Sequence, residues 1–388
     1  MPVEKVASPD EKNLPLATTK RAVLGQFFTP PQIASFMASL FQLRGHKQIS
    51  LLDAGAGVGS LTRAFLEQVQ QQTIPRSFCN GLYYRPFREF ILAKSSIKQI
   101  HLFDSRDKAF KEDGVLQENI ILHLVKGARQ GDVKISTSTD DAFQDYREYI
   151  APFERIVPGG DPEKFIHIPE NQQSHFANAL ESFTHSLADL GIEVSTGPVV
   201  DFRVKDFLCK EPQPNAAPLL YPAHFGDKNI QWPKPDFKKS NALIIAPETR
   251  KHLFPSGHYT LVRRFSSKEE RRRIVARVVG PGEIPGDFVG FENHLNVFHQ
   301  GKKGLPEALV LGLAVFLNST MIDHYFRQFN GHTQVNATDL RMLKYPEKAV
   351  LMELGKWAKN LSDFDQEVID SKLLSAVGYS RCLCFIRA

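Results

Sequence analysis

The stretch Leu51-Leu52-Asp53-Ala54-Gly55-Ala56-Gly57-Val58-Gly59-Ser60-Leu61-Thr62 carries the α/β reading of this chain. A short apolar run enters a set of alternating glycines and continues into a helix-forming segment. Glycine lets a backbone approach a ligand closely, and the helix start beyond it offers unpaired amides and the positive end of a dipole. The pattern predicts a strand, turn and helix that hold a polar or anionic cofactor within α/β layers. No Lys follows the glycines, so the loop is not a phosphate-gripping P-loop.

Upstream, Gly25-Gln26-Phe27-Phe28-Thr29-Pro30-Pro31 places a capping Thr before a Pro at the first helical position. Ile33, Phe36, Met37, Leu40 and Phe41 then fall on one helical face. Residues 1–20 read as a polar arm, and residues 21–150 alternate helical patterns with short β-branched runs. A connector over 151–197 is predicted helical from Phe176, Leu180, Phe183, Leu187 and Leu190. From 198 to 346 the texture turns to short strands between Pro and Gly, over 199–207, 241–245, 259–265 and 273–279. A helix over 306–329 and a loop over 330–346 close this region, and residues 347–388 form a last helix, near 349–361, and a tail.

With 388 residues, 42% hydrophobic and 23% charged, the chain fits two globular domains and excludes a disordered or fibrous protein. Lys and Arg number 48 against 43 Asp and Glu, a net +5 that is compatible with a polyanionic partner without proving one. The longest apolar run, Ala308 to Leu317, falls short of the roughly 20 residues a membrane span needs, so no membrane partner is expected. The first 20 residues lack an apolar signal region, which makes a cytoplasmic location the expectation. Cys79, Cys209, Cys382 and Cys384 show no paired spacing, so neither a disulfide framework nor a metal site is predicted.

Taken together, the 25–30 and 53–62 motifs resemble those of adenine-N6-specific DNA methyltransferases of bacterial type II restriction-modification systems. Further stretches resemble the same family: 75–81, 103–110, 115–121 and Gly331-His332-Thr333-Gln334-Val335-Asn336-Ala337-Thr338-Asp339-Leu340-Arg341. The resemblance implies a Rossmann-like S-adenosylmethionine-dependent methyltransferase domain followed by a β-rich α+β target-recognition domain. It places Gln26, Phe27, Phe28, Thr29, Pro30, Asp53, Gly55, Gly57 and Gly59 around S-adenosylmethionine, and it makes duplex DNA the partner. Any companion restriction endonuclease is a separate chain.

Within the second region Arg263, Arg264, Lys268, Arg271, Arg272, Arg273 and Arg277 suit phosphate contacts. They equally suit a solvated turn partly neutralised by Glu269 and Glu270. Gln334, Asn336 and Arg341 are types able to read base edges, or to serve as turn and cap residues.

The family's chemistry needs an Asn or Asp before Pro-Pro and an aromatic, which hold and stack an adenine flipped from the duplex. This sequence has only Pro30-Pro31, preceded by Thr29 and followed by Gln32, so no catalytic residue is assigned. A ribose-binding acid is also expected about 20 residues past the glycines. None stands between Gln68 and Arg88. Only twelve residues, Arg63 to Ile74, separate the glycine unit from the 75–81 stretch, whereas one βαβ unit takes roughly 30. The reading is an incomplete methyltransferase domain with an internal deletion near Gln68 to Gln72. The chain is then inactive in methyl transfer, or a non-catalytic DNA-binding remnant. The deletion leaves the strand at 49–53 with an exposed apolar edge. A small-molecule or RNA methyltransferase is disfavoured by the 331–341 stretch, and no hydrolase or nuclease set is legible.

Overall fold

The computed structural model describes residues 31–39, 73–105, 119–169, 180, 183–226, 228–266, 269–331 and 333–377. The chain divides into two compact units, Met1–Ile168 and Pro169–Ala388. The expected glycine loop, the 49–53 strand and the Gln68 to Gln72 seam lie outside the described residues, as do the cofactor residues Gln26, Phe27, Phe28, Thr29, Pro30, Asp53, Gly55, Gly57 and Gly59.

The described part of the first unit holds α1 (Pro31–Ser39), β1 (Thr73–Pro75), α2 (Arg85–Lys94), β2 (Ser95–Phe103), β3 (Asn119–Lys126), β4 (Val133–Ser138), β5 (Arg147–Ala151) and the short α3 (Phe153–Ile156). Its sheet runs β1-β3-β2-β4-β5. Only β2 and β4 pair in parallel; the other three pairings are antiparallel. The α/β layering is therefore present with a mixed sheet among the described residues. β3 runs back along one side of β2 and β4 returns along the other, and the described link from β3 to β4, residues 127–132, carries no helix.

Central β2 is covered on both faces, which is why Ile97, Ile100 and Phe103 are all buried. Ile33 and Met37 of α1 pack on Phe103 and Ile121, while Ile91 of α2 packs with Ile97, Ile100, Ile120 and Ile135. The 75–81 stretch is held by fully buried Arg88, which donates to the carbonyls of Phe78 and Gly81, both at 2.8 Å, and of Glu163 at 2.8 Å.

His101 on β2 is buried between Ser136 and Ser138 of β4, at 3.0 and 3.1 Å, and among Phe36, Phe103, Phe143 and Tyr146. Burial pushes His101 down to about 4, and burial does the same to His167. Between pH 6.5 and about 4 the unfolded chain thus binds more protons than the folded one. Stability is complete above that window and falls with pH through it, by roughly 1.4 kcal/mol per pH unit per histidine at most. The urea midpoint of the first unit is expected to drop from pH 7 to pH 5, and to drop less in His101→Asn. Equal pH dependence in the two proteins contradicts this account.

In the second unit two sheets share the core. One, ordered β10-β13-β8-β9-β7, uses β7 (Leu208–Cys209), β8 (Ala216–Leu220), β9 (Ala242–Ile244), β10 (Leu253–Pro255) and β13 (Phe288–Phe291). The other, ordered β12-β11-β14-β6, uses β6 (Glu193–Thr196), β11 (Tyr259–Arg263), β12 (Ala276–Val279) and β14 (Leu295–His299), all antiparallel. A short helix, α4 (Pro247–Arg250), precedes β10. Then come α5 (Glu307–Leu317), α6 (Thr320–Phe329), α7 (Ala337–Met342), α8 (Lys348–Ala358) and α9 (Gln366–Ala376).

The apolar run 308–317 is α5, buried throughout from Leu309 to Leu317. Among the described residues no single helix is long and apolar enough to cross a membrane. Two glycines let α8 lie directly on α5. A Cβ at Gly312 would sit 1.8 Å from the Leu351 carbonyl, and one at Gly355 would sit 1.6 Å from that of Ala308. Lys228, nearly buried, donates to the carbonyls of Ala358 and Leu361 at 2.9 and 2.7 Å and so satisfies the end of α8.

Several sequence expectations change here. The 199–207 segment is not a strand: it forms 3-10 turns at Asp201–Arg203 and Lys205–Phe207, closed by bonds such as Val204 N to Asp201 O. The 306–329 helix breaks into α5 and α6, bent by 62°. At the break the Asn318 side chain leaves the helix to pair with both backbone groups of Ala276, and Ser319 caps α6. The 330–346 loop contains α7, and the tail contains α9. Of the connector expected to be helical, Phe176 lies outside the described residues and Leu180 is helical, while Phe183 is buried beyond it and Leu187 and Leu190 are buried on a turn, with Asp189 accepting from Ser186 N and Oγ.

Candidate nucleic-acid interface

Strand β11 ends at Arg263 and Arg264 follows it at a bend, and the two side chains turn to different partners. Arg263 pairs with Glu270. Arg264 donates to Gln334 Oε1 and to the Asn293 carbonyl, both at 3.2 Å.

On the Arg263 side lie two adjoining clefts that share Arg271 and Arg272. One, of about 340 Å³, is lined by Arg263, Arg271, Arg272, Arg277, Asn318 and Gln366. The other, of about 460 Å³, is lined by Arg271, Arg272, Thr320, Asp323, His324 and Arg327. Arg271 is exposed at their junction. Arg272 is half-buried, donates to the Asn318 carbonyl, and is pulled below the usual guanidinium value by burial, opposed by Asp323 and Asp370. Arg327 donates to Asp323 at 2.7 Å and to the Glu270 carbonyl at 2.9 Å. Five arginines thus face Glu270, Asp323 and Asp365, an excess of positive charge in a concave site sized for an anionic group.

Not every arginine of the cluster faces this cleft. Arg273 is 1% exposed and donates to Ser266 Oγ at 3.2 Å and Asn330 Oδ1 at 2.7 Å, with its guanidinium over the Phe326 ring. It is a structural cation. Lys268 lies outside the described residues. Arg327 and His324 join the cleft from α6 and were not among the sequence candidates; their i, i+3 spacing on a helix that returns to the β11–β12 loop is their only sequence signal.

On the Arg264 side the 331–341 stretch is stapled to the continuation of β11. Phe265 pairs with Gln334, Ser266 N donates to Thr333 O, and Val335 N donates to Arg264 O at 2.7 Å. Asn336 starts α7, its backbone N–H donating to Asp339 at 2.9 Å. Arg341 donates to the Val194 carbonyl at 3.1 Å and Thr338 Oγ1 at 2.9 Å. Asn336 and Arg341 therefore use hydrogen bonds to hold the loop, as cap and turn residues do, while Gln334 stands beside Phe265.

Over 301 residues, 77% of the chain, it is 54% identical to the type II methyltransferase M.BsuBI of Bacillus subtilis. Over 339 residues, 84% of the chain, it is 44% identical to the type II methyltransferase M.PstI of Providencia stuartii. The likeness is to type II methyltransferases. The chain spans 60% and 66% of the length of these two relatives. No family model matches it. Among solved structures it aligns with the type IIG restriction endonuclease BpuSI at 12% identity and a TM-score of 0.36, over 86% of this chain and 49% of that one. It also aligns with the type IIL restriction-modification enzyme MmeI in complex with DNA, at 13% identity and a TM-score of 0.43, over 94% and 52%. Such scores do not define a shared fold.

Proposed function

We propose that this chain derives from a site-specific DNA adenine-N6 methyltransferase of a type II restriction-modification system. On this reading its second unit engages duplex DNA, and the chain does not transfer methyl groups. The observation that carries the proposal is the end of β11, flanked by the arginine-lined clefts on one side and the stapled 331–341 stretch on the other. Cationic groups in a cleft supply sequence-independent attraction to phosphates, and residues beside them read base edges. Arg263, Arg264, Arg271 and Arg272 are assigned to the DNA side, together with Gln334, and Asn336 and Arg341 border it while their hydrogen bonds hold the 331–341 stretch in place.

S-adenosylmethionine is the methyl donor this lineage implies, held by residues 26–30 and 53–59, which lie outside the described residues. The adenine reaction further needs the Asn or Asp, Pro, Pro, aromatic segment, which this sequence lacks. The separate core of the second unit favours a related reading in which Pro169–Ala388 acts as a DNA-binding module without catalysis. Both readings meet one test. Incubation of the purified chain with methyl-labelled S-adenosylmethionine and duplex DNA is expected to give no label above background; clear incorporation into adenine overturns the inactive assignment.

A further inference from the structure

The hairpin between β13 and β14 brings a second set of side chains to Gln334. Glu292 is 1% exposed and accepts from the backbone N–H of His294 at 2.9 Å and from its ring Nδ1. The ring is partly exposed and lies 5.0 Å from the ring of Phe265, itself 41% exposed. Arg264 spans the same patch: its guanidinium is 6.0 Å from the Phe265 ring centroid, and it donates to both the hairpin carbonyl of Asn293 and the Gln334 side chain.

These supports fix which atoms remain available. A carboxylate only accepts, so Nδ1 of His294 carries a proton, and in the neutral ring Nε2 is the acceptor left over, with no hydrogen-bond partner among the described residues. Arg264 only donates, so it orients the Gln334 amide with Oε1 inward and leaves the NH₂ group as donor, likewise without a partner among the described residues. A donor, an acceptor and an apolar ring stand together on the Arg264 side, held by buried Glu292 and half-buried Arg264.

We infer that Gln334, His294 and Phe265 form a base-reading patch for an A·T pair in the major groove. Adenine shows an acceptor, N7, next to a donor, the N6 amine, and its partner thymine shows a methyl group. The Gln334 amide donates to N7, His294 Nε2 accepts from the N6 amine, and Phe265 packs on the methyl. A G·C pair replaces the amine with a carbonyl acceptor and confronts His294 with a second acceptor. This inference rests on the proposed engagement of duplex DNA and adds His294 and Phe265 as specificity determinants.

The test selects duplexes from a randomised pool with the full chain, then compares wild type, Gln334→Glu, His294→Ala and Phe265→Ala. Gln334→Glu keeps the acceptor for Arg264 and removes the donor, so the loop stays in place. The expected result is a preferred sequence for wild type and, in each variant, a loss of about tenfold in discrimination at one A·T position. Affinity for unrelated duplex and its salt dependence stay unchanged in Phe265→Ala, whereas Gln334→Glu, which adds a negative charge beside Arg264, weakens binding to all duplexes alike on top of its loss of discrimination. Thermal melting curves coincident with wild type identify the variants as folded, and Gln334→Glu decides where another does not fold. Wild-type binding without sequence preference, or preferences unaltered in folded variants, overturns the patch and leaves DNA engagement standing. Failure of wild type to retain any duplex overturns DNA engagement itself.

Discussion

Gly355→Ala is expected to destabilise the second unit by about 3 kcal/mol or more, seen as a lower urea midpoint in its unfolding transition. The direction is informative because helix propensity points the other way. In an exposed helix, Gly to Ala stabilises by roughly 1 kcal/mol. Here the added methyl carbon falls 1.6 Å from the Ala308 carbonyl oxygen, which no rotamer adjustment relieves because both groups are backbone-fixed. The axes of α5 and α8 must separate, and Leu309, Leu313, Leu351 and Leu354 lose packing partners. Gly312→Ala repeats the clash from the other helix and is expected to have the same sign. A midpoint equal to wild type or higher for Gly355→Ala contradicts the crossing.

Arg273→Met is the second large effect, with an expected loss of about 3 kcal/mol. It removes the two charge-assisted hydrogen bonds to Asn330 Oδ1 and Ser266 Oγ in a buried site. Asn330 in turn donates to Asp339 at 3.0 Å and to the Gln334 carbonyl at 3.1 Å, so the disturbance reaches the 331–341 stretch. Arg271→Met, two positions away and exposed, is expected to change stability by under about 0.5 kcal/mol. The pair separates a structural cation from a binding one within a single run of arginines. Equal stabilities of the two variants by chemical denaturation contradict that division.

How far the sequence foretold this molecule follows local signals. Tyr259 to Phe265 and Arg273 to Val279 were legible as strands because β-branched and aromatic residues cluster between turns, and the structure forms β11 and β12 within them. The continuous apolar run at 308–317 was legible as a core helix, but its end was not. Asn318 breaks it because its side chain completes an edge of β12, 42 positions earlier, a long-range bond that helical periodicity cannot register. The 199–207 segment reads as a strand by composition, yet the i to i+3 bonds around Val204 win.

The candidate site shows the same limit. Arg263 through Arg277 were visible as a cluster, but the inward turn of Arg273 depends on Asn330 and Phe326, and the cleft wall depends on α6 and α9. His294 and Phe265 carried no sequence signal, because neither type is informative until Glu292 and Arg264 are seen to hold it. Asn336 and Arg341 were legible only as two alternatives, and their hydrogen bonds follow the cap-and-turn pattern.

The central claim, that the second unit holds a phosphate-binding face, is tested most directly by the salt dependence of duplex binding. Each neutralised phosphate contributes a slope of about −0.9 to log affinity against log salt. For the full chain on a duplex of fixed sequence, the four arginines assigned to the DNA side, Arg263, Arg264, Arg271 and Arg272, together predict a slope of about −3.6, and Arg271→Gln reduces its steepness by roughly one. Affinity independent of salt, or a slope untouched by Arg271→Gln, would contradict the account.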